Sequence, residues 1–365
     1  MSNPSSSAPT FQKAPSYWEK KGVVALLLWP LSKLFGWVTQ IRKILYALGL
    51  FKTQALDVPV IIVGNLRVGG TGKTPTVLAI AKALHAAGFH PGIISRGYKG
   101  TGHQDNPADA TEVTSQSNPL ELGDEPCYMA QQLAHLFIPV YVHSQRTISA
   151  RTLLKAHPTV NVLISDDGLQ HYAMKRWPAR EGGQDIELVI RDARGEGNGF
   201  LMPAGPLRES ALRARDFTLN LGSENSQQIK QPYLADAPNF YLTTQVAHAY
   251  QLSNPSQQRS LFDFYSERHL VAAAGLGNPK KFFDVLEQAG LTINPLPLPD
   301  HYDFQINPFK DISASAILIT EKDAVKCSQI AEYKNDERIW VVPVTVELPK
   351  EFINLMVDIL KRPKP

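Results

Sequence analysis

Six consecutive residues, Gly69-Gly70-Thr71-Gly72-Lys73-Thr74, bring together the groups that hold a nucleoside triphosphate. Glycines let successive backbone N–H groups converge on phosphate oxygens, and a helix that starts there adds the favourable end of its dipole. Lys73 is placed to reach the β- and γ-phosphates, and the Thr74 hydroxyl to ligate Mg²⁺. The strict form of this loop carries a glycine where this chain has Arg67. The cradle therefore reads as Arg67, Val68, Gly69, Gly70, Thr71, Gly72, Lys73 and Thr74. A second cluster, Asp166-Asp167-Gly168, follows the apolar run Val160–Ile164, where a P-loop fold carries its metal-binding acid. One carboxylate at that strand end can hold Mg²⁺ directly or through water, although two acids before a glycine also make an ordinary turn. ATP and Mg²⁺ are the expected ligands.

The elements that must position these residues follow from hydrophobic period. Val58–Val63 is a short apolar run, hence a strand buried on both faces, and Lys73–Ala87 has a helical pattern. Gly92–Ser95, Pro139–Val142, Val160–Ser165 and Ile186–Ile190 read as further strands, with helices at Glu125–Phe137 and Gln145–Ala156. The alternation predicts a P-loop NTPase-type α/β fold, a mainly parallel sheet with helices on both faces. Thr101–Leu122 is polar and reads as a long surface loop. Phe217–Ser256, with the β-like run Phe240–Val246, is where the chain is expected to leave the first domain. His269–Ala274, Pro279–Ala289, Ala316–Thr320 and Ile339–Val344 then predict a smaller C-terminal α/β domain. Residue pattern alone makes Asp124 a helix N-cap, His301 a surface-loop histidine and Glu209 a partner of Arg213. Thr320-Glu321-Lys322-Asp323 sits where GTPases carry their base-reading N-K-x-D, and is equally a charged cap between strand and helix.

Composition bounds the rest. The 365 residues carry a net charge of +3, with 43% apolar and 19% charged residues, enough to bury a core and too little to signal disorder. No basic face with interleaved aromatics suggests nucleic acid, and no obligate protein partner is indicated. Cys127 and Cys327 match no metal spacing and fit a reducing compartment. Residues 1–16 read as a disordered tail and 17–55 as a membrane-associating amphipathic helical segment. There Leu27, Leu31, Leu34, Val38, Ile41, Leu45 and Leu48 form one stripe, with Trp29, Trp37, Lys33, Arg42 and Lys43 around it. Such a helix can lie in the headgroup boundary of a bilayer, or pack the same stripe on a core. Residues 56–222 are assigned to the P-loop domain and 223–365 to the smaller one. Two other functions fit these features: a regulatory P-loop ATPase at a membrane, and a soluble kinase for a small metabolite.

The loop resembles the G-G-x-G-K-T loop of the class that includes the MinD and nitrogenase-iron-protein ATPases, which carry a lysine just before the two glycines. Val68 takes that position here. A larger set of motifs is identified as that of the tetraacyldisaccharide 4′-kinase family of Gram-negative bacteria. It runs from Val63-Gly64-Asn65-Leu66 into the glycine loop, then Ser95-Arg96-Gly97-Tyr98, Gly123-Asp124-Glu125-Pro126 and Asp166-Asp167-Gly168-Leu169-Gln170-His171. Gly197-Asn198-Gly199, Pro203-Ala204-Gly205-Pro206-Leu207-Arg208-Glu209, Asp300-His301 and Thr320-Glu321-Lys322-Asp323-Ala324-Val325-Lys326 complete it. The resemblance implies transfer of the ATP γ-phosphoryl group to the 4′-hydroxyl of a lipid-linked glucosamine disaccharide, tetraacyldisaccharide 1-phosphate, giving lipid IVA for lipid A biosynthesis. It implies action at the inner-membrane surface, on its cytoplasmic face. It makes Asp124, paired with His301, the base for the acceptor hydroxyl, with Lys73 on the phosphates. It places Thr74, Asp166, Asp167 and Glu209 around the metal, and Arg96, Arg146 and Arg208 as candidate phosphate contacts. Trp177–Gln184 reads as an insertion able to reshape one rim of the site.

Overall fold

The computed structural model describes residues 15–97, 109–222 and 237–363. Most of the expected tail, Tyr98 and the start of the Thr101–Leu122 segment lie outside the described residues. Two compact units emerge, one of residues 15–245 with 345–365, the other of residues 246–344.

The first unit runs α1 (Val23–Ala47), β1 (Val60–Gly64), α2 (Lys73–Ala86), β2 (Pro91–Ser95), β3 (Thr111–Val113), α3 (Pro119–Leu122) and α4 (Asp124–Leu133). It continues through β4 (Val140–Val142), α5 (Arg146–Ala156), β5 (Val162–Asp166), β6 (Ile186–Arg191), β7 (Phe217–Leu221) and β8 (Asn239–Val246). The second unit holds β9 (Ala249–Gln251), β10 (Gln258–Arg259), β11 (Leu270–Ala274), α6 (Lys280–Gln288), β12 (Asn294–Pro297), β13 (Ala316–Thr320), α7 (Glu321–Cys327), α8 (Ala331–Lys334) and β14 (Ile339–Val342). The chain then returns to the first unit through β15 (Val344–Glu347) and α9 (Lys350–Leu360).

The first sheet has the order β15-β8-β7-β6-β1-β5-β2-β4-β3. Strands β1, β2, β5 and β6 are buried along their whole length, as the mainly apolar strands of a sheet covered on both faces are. β1 lies between β5 and β6, parallel to both, while the chain runs on from β1 to β2 beyond β5. Strand order therefore reverses at β1, and the crevice at the carboxyl ends of its neighbours is where such sheets bind ligands. The register pairs Val63 with Asp166, so the glycine loop and the acid pair leave the sheet side by side.

Two expectations are corrected. Thr101–Leu122 is not all loop, because β3 pairs antiparallel with β4 and Asn118 caps α3. The chain also does not leave the first sheet at residue 222. β7 and β8 add to it in parallel, and α9 packs on it, with Phe352 5.6 Å from Phe217 and 5.3 Å from Phe240. A polar run between two strands of one sheet reads in sequence like a linker. The Trp177–Gln184 insertion is tied to the end of α9 by Gln184, whose amide donates to the Leu360 carbonyl at 3.1 Å.

α1 shows which face the apolar stripe takes. Only Ala25 and Ser32 are buried, and Ser32 donates to the carbonyl of Leu201. A Cβ on Gly36 would stand 2.9 Å from Leu201 Cδ1, so a face of small residues seats the helix. Leu27 is 75% exposed and Trp37 69%, and Leu31, Leu34, Val38 and Ile41 are exposed with them. The stripe faces outward, and the core-packing alternative fails. Over its 25 residues α1 is long and apolar enough to cross a bilayer by length and composition.

The second sheet orders β10-β9-β14-β13-β11-β12. Four strands are parallel, and β9 and β10 close one side antiparallel.

Candidate active site

The site is built on the loop between β1 and α2. Gly72 takes φ +90°, a left-handed conformation that suits glycine, and caps α2 so that Lys73 becomes its first residue. Lys73 Nζ donates to Asn65 Oδ1 at 3.2 Å and lies 3.8 Å from Asp167 Oδ1. The same Asn65 donates through Nδ2 to the carbonyls of Arg67 and Gly69, spanning the base of the loop. Asn65 stood among the family motifs without a role. Its signal is position, since a polar residue ending an apolar strand before a glycine loop must satisfy backbone groups there.

Arg67 is buried, and its guanidinium pairs with Glu19 and donates to the Arg194 carbonyl. Val68 N–H donates to the Pro206 carbonyl at 2.9 Å. The Arg67 side chain and the Val68 amide are thus already used inside the protein. They shape the cradle from within the protein.

The two acids of the Asp-Asp-Gly cluster differ in surroundings. Asp167 is held at 2.8 Å by Arg208 Nη1 and approached by Lys73. Burial opposes its charge, but Lys73 and Arg208 prevail and hold its carboxyl below the usual range. Asp166 is buried; its Oδ2 accepts from Ser95 Oγ at 3.1 Å and Oδ1 has no partner. Burial, with Glu125 nearby, pushes its pKa up to about 6 against the pull of Lys73. Arg146 donates to the Asp166 carbonyl at 2.8 Å. Thr71 Oγ1 is likewise buried and unpartnered.

Gly123 is the cap of α4, at φ +93°, and Asp124 is the first residue inside the helix. The N-cap reading of Asp124 is therefore replaced. Asp124 is buried in the first turn, beside the Glu125 whose charge reaches Asp166. Glu209 accepts from Gln170 at 2.8 Å, Tyr172 at 3.0 Å and Arg213 at 2.9 Å. Both its oxygens are engaged, and the partnership with Arg213 that residue pattern alone predicts is present.

The later motifs form a collar that joins the residues just before α1 to the loop. Asn198 Nδ2 donates to the carbonyls of Tyr17 and Ala204, both at 2.8 Å, and Trp18 Nε1 donates to the Pro203 carbonyl at 3.1 Å. Arg208 N–H donates to Leu66 O at 2.7 Å before its side chain turns to Asp167. Neighbouring burial and cations, Arg146 foremost, push the His171 pKa down to about 3, so this imidazole is neutral.

His301 belongs to the second unit. Its φ is +61°, and its N–H donates to the Gly275 carbonyl at 3.2 Å. Gly275 N–H donates in turn to Asp323 Oδ2 at 3.0 Å, and Thr320 caps α7 by accepting from Asp323 N–H. The Thr320–Asp323 motif is thus a strand-to-helix cap that also grips Gly275, whose carbonyl accepts from His301.

The residues present fit a magnesium nucleotide. The buried, unpartnered Asp166 Oδ1 is a hard oxygen that feels the charge of Lys73, and Mg²⁺ takes one or two carboxylates alongside phosphates rather than a full protein cage. Among the described residues no group of three or more His, Cys, Asp or Glu forms such a cage.

A sequence model of the family described as tetraacyldisaccharide-1-P 4′-kinase matches residues 24–361. The chain is 48% identical over 362 residues to a tetraacyldisaccharide 4′-kinase of Polynucleobacter asymbioticus, covering 97% of each. It is 44% identical over 354 residues to that of Herminiimonas arsenicoxydans, covering 94% of each. The fold is similar to the crystal structure of LpxK from Aquifex aeolicus in complex with ATP. The TM-score is 0.72 at 27% identity, covering 93% of this chain and 100% of that one.

Proposed function

The chain belongs to the tetraacyldisaccharide-1-P 4′-kinase family, and on that premise we propose which of its residues carry the reaction. The reaction moves the γ-phosphoryl group of ATP to the 4′-hydroxyl of a tetraacyldisaccharide 1-phosphate, giving lipid IVA in lipid A biosynthesis. The observation that carries the residue assignment is the meeting of Lys73, Asp167 and Arg208 beside the buried Asp166 at the ends of β1 and β5.

Phosphoryl transfer asks chiefly for positioning and charge neutralisation. The loop amides from Gly69 to Thr74 hold the phosphate chain, and Lys73 is its nearest fixed charge. Mg²⁺, when bound, would neutralise charge between the β- and γ-phosphates, with the Thr74 hydroxyl, Asp166 and Asp167 holding it. Arg208 fixes the Asp167 carboxylate and Ser95 fixes one oxygen of Asp166, so neither acid needs to reorganise. Asp124 takes the proton of the 4′-hydroxyl as the new bond to phosphorus forms. His301, in the second unit, is the residue that the family motif assigns to the same step.

The membrane surface is the proposed place of action. α1 offers an acyl-chain contact through Leu27, Leu31, Leu34, Trp37, Val38 and Ile41, with Lys33, Arg42 and Lys43 near anionic headgroups. Ser32 of this helix donates to the Leu201 carbonyl, and the same segment meets the nucleotide loop where Val68 N–H donates to the Pro206 carbonyl, so the catalytic centre is held close to the surface from which its lipid comes. The assignment of the cytoplasmic face of the inner membrane follows from the need for ATP and the reduced Cys127 and Cys327.

The test is transfer from labelled ATP to tetraacyldisaccharide 1-phosphate in vesicles. Asp124→Asn keeps size and polarity but cannot take a proton, so the turnover rate falls by about 10²-fold or more while ATP affinity holds. His301→Ala lowers the same rate, and the double variant loses less than the product of the two losses. An Asp124→Asn enzyme that turns over at the wild-type rate refutes the base assignment.

A further inference from the structure

Arg194 lies in the turn after β6, in Arg191-Asp192-Ala193-Arg194-Gly195, and its side chain rests on the nucleotide loop. Its Nη2 donates to the Gly70 carbonyl at 2.7 Å. Its Nη1 stands 3.6 Å from where a Cβ on Gly69 would be. The guanidinium is gripped from behind by Asp192, which accepts from Nε at 3.2 and 3.1 Å and from Nη2 at 2.7 Å. Asp192 also accepts the backbone N–H of Arg194 at 3.0 Å. The Asp192 side chain is 2% exposed and that of Arg194 24%, so a buried carboxylate holds a cation whose tip stays open. Gly70 itself is exposed, which leaves the arginine on the accessible side of the loop.

The loop has a shortage of charge at that end. Val68 supplies no cation before the two glycines, and Arg67 is spent on Glu19. Lys73 serves the other end, at the start of α2. A guanidinium hydrogen-bonded to a neutral carbonyl makes a weaker bond than one paired with a phosphate oxygen, where both partners carry charge. Its planar fork also matches phosphate geometry.

We propose that Arg194 exchanges the Gly70 carbonyl for the phosphate chain of the bound nucleotide, as a cation supplied in cis from β6. Asp192 keeps the guanidinium within reach and oriented before the nucleotide arrives, which lowers the ordering cost of the contact. The inference rests on the assignment of Gly69–Thr74 as the ATP loop.

Full-length Arg194→Ala, Arg194→Gln and Arg194→Lys are titrated with Mg-ATP, ADP and adenosine by calorimetry or competition, with Lys73→Ala as reference. Loss of a charge-assisted phosphate contact is expected to weaken ATP and ADP by about 10-fold or more in the Ala and Gln variants. Adenosine binding holds, and Lys recovers part of the loss. The melting temperature of the nucleotide-free protein reports any bracing of the loop separately. Unchanged ATP affinity in Arg194→Gln overturns the proposal, as does an equal loss for ATP and adenosine, which marks a loop brace. Wild-type ATP affinity in Lys73→Ala overturns the loop assignment itself.

Discussion

Replacing Gly72 by alanine tests the geometry on which the nucleotide loop depends. Gly72 sits at φ +90° and ψ +24°, and an added Cβ would overlap Cδ1 of Leu221 at the end of β7. The left-handed backbone costs an L-residue about 1–2 kcal/mol. Leu221 is half-buried, and its far end can swing aside into an unfavourable rotamer for about 0.5–1.5 kcal/mol. Alanine returns about 0.4–1 kcal/mol by restricting the unfolded chain. The net destabilisation is then about 0.5–3 kcal/mol. Urea unfolding of Gly72→Ala, Leu221→Ala and the double variant separates the two causes in a cycle. Relative to Leu221→Ala, adding the Gly72 change should cost only the backbone part, so the coupling is about 0.5–1.5 kcal/mol. ATP affinity should fall in both variants that carry the Gly72 change, because the turn that aims Lys73 at the phosphates has moved. Full additivity with unchanged ATP binding would refute the claim that Gly72 is held left-handed by the space between α2 and Leu221.

Two further outcomes follow from described contacts. Glu187 is buried among Arg176, Arg180 and Arg213, and Glu187→Gln should cost about 3–5 kcal/mol of stability near pH 7 by leaving these cations short of a counter-charge. Burial opposes the Glu187 charge, but Arg213, Arg176 and Arg180 together lower its pKa below 4.5. Its contribution is therefore present above about pH 4.5 and lost as the pH falls through the lowered folded value, so the penalty of the Gln variant should shrink in acid. Urea midpoints at neutral and acid pH check this, and a pH-independent penalty sinks it. Replacing Leu27, Trp37 and Ile41 with Gln should release the protein from anionic vesicles in a flotation assay without lowering its melting temperature, since all three are exposed. A fall in melting temperature with retained flotation would return α1 to the core.

The glycine loop, the acid pair and the parallel strands around them were legible because local chemistry sets each one: an apolar run, a turn residue, a helix start. Residue type alone does not place the cap of α4, because Gly123 and Asp124 both favour helix starts and only φ at Gly123 decides between them. The Arg213 partnership of Glu209 is legible from their spacing of four, whereas its partners Gln170 and Tyr172 converge from a separate position in the fold. Arg194 carried no motif at all. It matters only because β6 runs beside β1, a fact of sheet order that spacing along the chain does not encode. The domain boundary failed for a related reason, since strand order places β15 beside β8 although a whole second unit separates them in sequence.

That return has a consequence for how the protein is made. The strands β7 and β8 bury Phe217 and Phe240 against Phe352 of α9, which the ribosome delivers only after residues 246–344. At about 5–20 residues per second, roughly 5–20 s pass between synthesis of β8 and of α9. The second unit is contiguous and can close itself in that interval. α1 has by then long emerged, with its apolar side uncovered and a bilayer as its natural solvent. On the proposed membrane role of α1, the nascent chain meets its bilayer before its kinase sheet is sealed, and any arrest between the two leaves Phe217 and Phe240 still waiting for their cover.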